Sequence, residues 1–464
     1  MTGPGRLLVA VVAALIAAPV GTAAAANRMP IGFFDDVSFR YAAAARDANL
    51  QSAAATGASI IHTNVSWPAI APTRPAAPLN GDDPAYALGN LDDLVYQSGL
   101  YGMRVMINIT GTPKWANGNT TPNHMPKNLS DLTAFSRMLA TRYDGRHGHG
   151  SVGLYSVWNE PNLQLFLTPQ YQGKKIVGPA NYAKLYKAAY AGIKAGNPLA
   201  QVAIGETSAR GRDKPLTSVS ASVAPATFAR LLSQVPGLKF DAWAHHPYPT
   251  SPNLPPLQKV RYPNVTLSTM PQFEKDLRTW FKRPVPIWIT EYGHETKPGE
   301  PHGVSEATQA AWAKQALNIA KADPNVQMFC WFTFRDNPGN PWKSGLERPS
   351  GAHKPSYAAF SSIANLTDGQ SVVTKAGKPP KITIYLPYLG YYSPPGTQVG
   401  IFYTVYDGTK VVARATPTAA LGLDQSATFV PAFTPVKGHK YNVVAIANEP
   451  IGHNETRTTY VTTA

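Results

Sequence analysis

The amino-acid sequence predicts an α/β protein: a (β/α)8 barrel followed by a small C-terminal β-sandwich. Three observations carry this. Eight short apolar runs alternate with amphipathic stretches through the first 366 residues. The runs are β-branched or aromatic and lack strict alternation, as expected of strands buried on both faces of a parallel sheet. Beyond Thr367 the helical spacing disappears and short strand-like runs take its place.

The eight runs are Met29–Phe34, Ala58–Val65, Met103–Ile109, Val152–Trp158, Gln201–Gly205, Phe240–His245, Pro286–Thr290 and Val326–Phe332. Between them, Leu129–Tyr143 sets Leu132, Phe135, Met138 and Leu139 at helical spacing, with Ser130 as its N-cap. Asn181–Ala195 sets Tyr182, Leu185, Tyr186, Ala189 and Ile193 on one face and stops at Gly196-Asn197-Pro198. Thr308–Ala322 places Ala311, Trp312, Gln315 and Ile319 on its buried face. Alternation on this scale fits a TIM barrel with inserted loops. The rival, an open doubly wound sheet, lacks the Gly-rich phosphate loop it would carry after a strand. The long loops Trp67–Asn90, Ala209–Ala226 and Pro247–Pro271 follow strands, where such a barrel builds its active face.

In the last segment Lys381–Tyr388, Gln398–Tyr406, Thr409–Ala415, Ser426–Phe433, Lys440–Ala447 and Thr456–Thr462 read as strands, with Asp407-Gly408 as a hairpin turn. No aromatic row stands out there beyond Tyr388, Tyr391 and Tyr392, so a packing role is favoured over sugar binding. The expected organisation is a leader over residues 1–26, a barrel over 27–366 and a sandwich over 367–464. The leader has Arg6, then the apolar run Leu7–Ala18, then the small residues Ala23–Ala26, which is the layout of a secretory signal peptide. The apolar run is short for a bilayer span, so a secreted, extracellular protein without stable membrane insertion is expected.

Lys and Arg total 42 against 27 acids, a net charge of +15, yet the excess is spread along the chain. No basic block points to nucleic acid, so no nucleic-acid partner is expected. The single cysteine, Cys330, excludes an intrachain disulfide and Cys-rich zinc sites and reads as a buried filler. Asn108-Ile109-Thr110 is an Asn-x-Thr triplet on an expected buried strand, a chance match to a glycosylation signal.

Two carboxylates stand out. Glu160 lies in Val157-Trp158-Asn159-Glu160-Pro161-Asn162, where the fourth strand ends. Glu291 lies in Trp288-Ile289-Thr290-Glu291-Tyr292-Gly293, where the seventh ends. Both emerge at one rim of the barrel from nearly opposite strands, so they can converge over a shared ligand. A protonated and an ionised carboxyl facing one bond is the equipment of glycoside hydrolysis.

These segments resemble the clan A glycoside hydrolases, TIM-barrel retaining glycosidases with Asn-Glu after strand four and Glu after strand seven. Families 39 and 5 are the nearest in likeness, through Gly111-Thr112-Pro113-Lys114-Trp115-Ala116 and His246-Pro247-Tyr248-Pro249. The segment from Ser344-Gly345-Leu346 to Lys354-Pro355-Ser356-Tyr357 resembles the close of such barrels. The resemblance spans residues 27 to 365. It implies hydrolysis of O-glycosidic bonds in poly- or oligosaccharides by double displacement, with no cofactor. Glu160 is then the acid/base and Glu291 the nucleophile. Asn159 holds the sugar 2-hydroxyl, Tyr248 lies beside Glu291, His246 shapes the pocket and Trp331 floors the sugar subsite. His62 stands where the clan carries an Arg supporting the nucleophile, a departure from the pattern.

Further candidates come from position. Glu206, ending strand five, contacts substrate hydroxyls or pairs with Arg210 or Arg212. Trp67, Trp115 and Trp342 are sugar platforms, while Trp280 and Trp312 belong to the core. Asp35 and Asp36 face the cleft or cap the next helix. His245 and His246 are adjacent on a strand and point to opposite faces, so they cannot both hold one ion and no metal is expected. A carbohydrate-binding barrel without catalysis and a transglycosylase are the alternatives.

Overall fold

The computed structural model describes residues 29–464, apart from 102, 146, 217, 368, 375, 386–393, 409, 423–425, 449–453 and 464. The expected leader and Tyr388, Tyr391 and Tyr392 lie outside the described residues. Eight parallel strands close into a barrel in chain order: β1 Ile31–Phe34, β2 Ile60–Ser66, β3 Arg104–Thr110, β4 Leu154–Val157, β5 Gln201–Ser208, β6 Ala242–His246, β7 Ile287–Tyr292 and β8 Val326–Phe332. β1 pairs with both β2 and β8, which completes the ring. Each strand is followed by a helix: α1 Arg46–Ala55, α2 Gly89–Leu100, α3 Leu129–Arg142, α4 Gly178–Gly196, α5 Pro225–Leu232, α6 Met270–Phe281, α7 Glu306–Ala322 and α8 Pro355–Thr367. The predicted TIM barrel is therefore the observed fold.

Alternation along the strands sorts side chains into two layers. Ile60, Met106, Leu154, Ala203, Ala242, Ala244, Trp288, Met328 and Cys330 fill the inside of the barrel. Ile61, Val105, Ile107, Tyr155, Val202, Ile204, Trp243, Ile289 and Trp331 face the helices and form the outer core. Both faces of each strand are thus apolar, which is why the sequence shows continuous runs.

The helices correct three details. The N-cap of α3 is Asn128, whose side chain accepts from Ser130 N at 3.0 Å, and Ser130 itself lies inside the helix. α4 begins before Asn181, because Pro179 suits a first turn that needs no N–H from it. α7 buries Gln309, Ala313, Ala316, Leu317 and Ala320, a face rotated from the one expected, with Ala311 and Gln315 exposed. Its small alanines set the contact, and the larger Trp312 lies at the edge of it.

The C-terminal sandwich has one large and one small sheet. β9 Gly369–Thr374, β10 Ile382–Tyr385, β11 Gln398–Asp407, β12 Lys410–Ala415, β13 Thr418–Ala420, β14 Ser426–Phe429, β15 Lys440–Asn448 and β16 Asn454–Thr463 build it. The order is β9-β16-β15-β11-β12, with β13 on β11, and β10 pairs with β14. Ile382 and Ile384 of the small sheet share a buried cluster with Val399, Ile401, Tyr403, Tyr441 and Val443 of the large one. β9 and β13 are strands that the sequence pattern did not reveal.

Candidate active site

The site forms where β4, β5, β6 and β7 end. At β4 the chain turns sharply: Trp158 and Glu160 take φ of +72° and +39°, a region that costs non-glycine residues energy. Trp158 holds the turn by donating its backbone N–H to Ile109 O at 2.7 Å and its indole N–H to Phe166 O at 2.6 Å. Buried Asn162 ties the loop to the end of β5, accepting from Ser208 N at 2.9 Å and donating to Val223 O at 3.0 Å. Asn162 stood in the sequence motif without an assigned role.

Two register slips aim the other acids. In β5 the pairing with β6 shifts between Gly205 and Thr207, so Glu206 turns inward at φ +46°. Gly205, at φ +111°, leaves no room for a Cβ, which would come within 2.7 Å of Trp243. In β7 the pairing with β8 shifts between Ile289 and Tyr292, so consecutive Thr290 and Glu291 both meet groups of the barrel mouth. Gly293 then passes so close to β8 that a Cβ would fall 2.2 Å from Phe332 O.

His246 is the hub. Its Nδ1 lies 2.8 Å from Glu291 Oε2 and 3.1 Å from Glu160 Oε1, and its Nε2 lies 2.8 Å from Glu206 Oε2. Thr290 Oγ1 donates to the same Glu206 oxygen at 2.7 Å. One oxygen each of Glu160 and Glu291 and a nitrogen of His246 all lie within 4.8 Å of one another. Glu160 and Glu291, 131 positions apart in the chain, therefore meet at one point.

Burial opposes a charge on His246. The charge of Glu291 and the hydrogen bonds to Glu160, Glu206 and Glu291 outweigh it, and the imidazole is held well above its ordinary range. Both nitrogens face carboxylate oxygens, so the protonated form, with both nitrogens donating, is favoured. Hydrogen bonds from the two ring nitrogens to carboxylate oxygens tie the cluster together. Burial pushes Glu206 up, but the hydrogen bond and charge of His246 pull it below the usual carboxylate value. Burial pushes Glu291 up, His246 opposes, and the charges of Glu160 and Glu206 leave it raised. Burial and the charges of Glu291 and Glu160 hold the Tyr248 phenol protonated, well above its usual range.

Glu160, Glu291, Tyr248, Trp342, Arg210 and Glu295 line a cavity of about 370 Å³. A second space of about 560 Å³, lined by Asn64, Thr110, Gly111, Asn123 and Trp158, adjoins it through the shared residues Asn159 and Phe166. Asn159 thus stands at the junction, its Oδ1 without a partner among the described residues. Tyr248 stacks on Tyr292 at 5.8 Å and meets the edge of Trp342 at 5.4 Å.

Several expected residues lie elsewhere. Trp331 does not floor the cavity: it is fully buried in the outer core and donates to Ser344 O at 2.8 Å, while its neighbour Phe332 faces the cavity. Glu206 is fully buried off the cavity lining and pairs with neither Arg210 nor Arg212; its Oε2 meets His246 and Thr290. Its place is behind the hub. His62 is buried below the site, where it donates from Nδ1 to Thr290 O at 3.0 Å and burial lowers its pKa. It steadies the backbone before Glu291 as a neutral group. Trp115 is held outside the cavity by Ala71 O at 2.8 Å and by Arg74, 4.4 Å over its ring, and Trp67 is core. Asp35 caps through Ser38 N at 2.9 Å and accepts from Phe334 N at 3.0 Å. Asp36 binds Thr63 and Asn64 N. Glu295 and Phe166 are cavity residues that the sequence did not mark, since loop positions carry no periodicity to read.

Residues 112–378 match a family model described as "Family of unknown function (DUF5722)". No curated protein matches the sequence. Among solved structures, the chain is similar to a family 39 glycoside hydrolase from the gut symbiont Bacteroides cellulosilyticus WH2, at 17% identity and TM-score 0.53, covering 87% of this chain and 81% of that one. It is similar to a glucosidase from Croceicoccus marinus at 10% identity and TM-score 0.56, covering 90% and 96%. A family 39 β-xylosidase from Caulobacter crescentus aligns at 15% identity and TM-score 0.51, covering 89% and 96%. What these likenesses share with the chain is the barrel fold.

Proposed function

The chain belongs to the DUF5722 family, and from that premise we propose that it is a retaining glycoside hydrolase acting on oligo- or polysaccharides. One observation carries the reading: oxygens of Glu160 and Glu291 lie within 4.8 Å of each other on a cavity at the mouth of the barrel. Retaining hydrolysis places its carboxyl groups about 5–5.5 Å apart, too near for a water to pass between acid and base as inversion requires.

In the first step a Glu291 oxygen bonds to the anomeric carbon while Glu160 protonates the departing glycosidic oxygen. In the second, Glu160 takes a proton from water, whose oxygen displaces Glu291 at the same carbon. His246 favours the ionised form of Glu291, because its cationic Nδ1 lies nearer that carboxylate, 2.8 Å against 3.1 Å for Glu160. Asn159 is the residue proposed to hold the sugar 2-hydroxyl, a role supported by its position on both linings. The ring of Trp342 offers an apolar face to a pyranose. Export is part of the proposal and rests on the charged, apolar and small-residue order of residues 1–26.

Glu160→Ala and Glu291→Ala should each lower kcat by about 10³-fold or more with the melting temperature preserved. Azide should partly restore Glu160→Ala on an activated aryl glycoside. Product anomers, followed by NMR at early times, should keep the substrate configuration. Near-normal turnover by both variants, or inverted products, would sink the assignment.

A further inference from the structure

Glu295 and Trp342 line the same cavity as Glu291, and each holds a hydrogen-bonding group that the protein does not use. Among the described residues the Glu295 carboxylate has one hydrogen bond, from Lys343 N to Oε1 at 3.3 Å, which leaves Oε2 available. The Trp342 indole N–H is buried and has no partner among the described residues. The two walls are tied together, since the residue after Trp342 is the one that binds Glu295. Burial pushes the Glu295 carboxyl up to about 7 against the pull of the Lys343 N–H. The buried, unpaired indole N–H carries a desolvation cost that a ligand can relieve, and the free Glu295 oxygen offers the same ligand an acceptor.

A hydroxyl group does both jobs at once, donating its proton to a carboxylate and accepting from an indole N–H. We propose that Glu295 and Trp342 together read one hydroxyl of a neutral sugar in the cavity beside Glu291, and so determine specificity against uronic acids there. The inference rests on the glycosidase reading. A uronate carboxylate could accept from Trp342, but it would face the Glu291 carboxylate and, above about pH 7, an ionised Glu295 with like charge. Arg210 lies on the same cavity but is exposed and donates to Thr250 O at 2.8 Å, so solvent screens it.

The test uses 4-nitrophenyl glycosides: β-glucoside, β-galactoside, β-xyloside, β-mannoside, α-L-arabinoside and β-glucuronide, then monodeoxy forms of the best one. Glu295→Ala and Trp342→Phe should each lower kcat/KM on that substrate by about 10- to 100-fold. In the wild type one deoxy position should cause a similar loss. At that position the variants should lose little more, because the interaction is already gone. Glu295→Gln, which keeps the shape without the charge, should fold normally and narrow the preference for glucoside over glucuronide. Losses that add at every deoxy position, or a wild type that cleaves the glucuronide as fast as the glucoside, would overturn the pair alone. A wild type that cleaves no glycoside would overturn the hydrolase reading and the pair with it.

Discussion

His245 and His246 are adjacent, equally buried and opposite in character. His245 points to the helices, beside Phe273, donating from Nε2 to Val265 O at 3.0 Å with Thr207 Oγ1 at 2.8 Å from Nδ1. Burial drives its pKa down to about 3, so it is a neutral strut. His246 points into the barrel mouth among Glu160, Glu206 and Glu291, which hold its imidazole well above the ordinary range and favour the cation. Residue type and depth are the same; the face of the strand decides the charge. Inside the barrel end the acids favour the charged histidine against burial, whereas outside it no charge repays desolvation.

The largest expected effect comes from breaking this contrast. His246→Ala removes the cation among three carboxylates, and kcat should fall by about 10²- to 10³-fold. Without that positive charge the carboxyls hold their protons more tightly, so the acid limb of the pH–rate profile should move to higher pH. His245→Asn should leave kcat within about threefold and the acid limb in place, with its cost appearing as a lower melting temperature. An equal acid-limb shift in both variants would erase the distinction between the faces.

The same distinction marks what the sequence could reveal. The eight barrel strands were legible because burial on both faces makes their runs continuous. Glu160 and Glu291 were legible because each ends such a run inside a recognisable motif. The register slips in β5 and β7 were not, since a bulge leaves no mark in hydropathy. Those slips turn Glu206 inward and make it His246's partner, so reading it as a substrate contact failed. Trp331 failed for a related reason: with a period of two, one residue separates the cavity side from the helix side, and the cavity-facing aromatic is Phe332. Arg210 and Glu295 come from loops, where only the folded chain shows what faces what; Trp342, marked in the sequence as a sugar platform, does line the cavity.

An intermediate effect should separate two tryptophans. Trp342→Ala removes a cavity wall and should raise KM about tenfold with little change in melting temperature, which steady-state kinetics beside calorimetry would show. Trp331→Phe loses the bond to Ser344 O and part of the packing on Tyr292, 6.1 Å away, so it should cost about 1–3 kcal/mol of stability and leave KM alone. A KM effect confined to Trp331 would mean that β8 presents its other face to the substrate.

The smallest effect concerns an acid pair with no role at the mouth. Half-buried Glu274 of α6 meets Asp323, which precedes β8, and accepts from Asn325 Nδ2 at 2.6 Å. Burial first, then Asp323, pushes its carboxyl up to about 8 from an ordinary 4.5. In the unfolded chain the group ionises near 4.5, while in the folded chain it keeps its proton to about 8. Between those values the unfolded state is favoured as pH rises, so folding loses stability across that window. Glu274→Gln retains an oxygen for Asn325 and gives Asp323 a donor, with nothing to titrate. The variant should melt like the wild type at pH 4 and roughly 2 °C higher at pH 8, a modest gain because water partly screens the site. Its kcat should not move, since neither residue lines the cavity. A gain of the same size at both pH values would show that Glu274 acts through packing and that the pair carries no proton of its own, unlike the histidine-bridged acids above it.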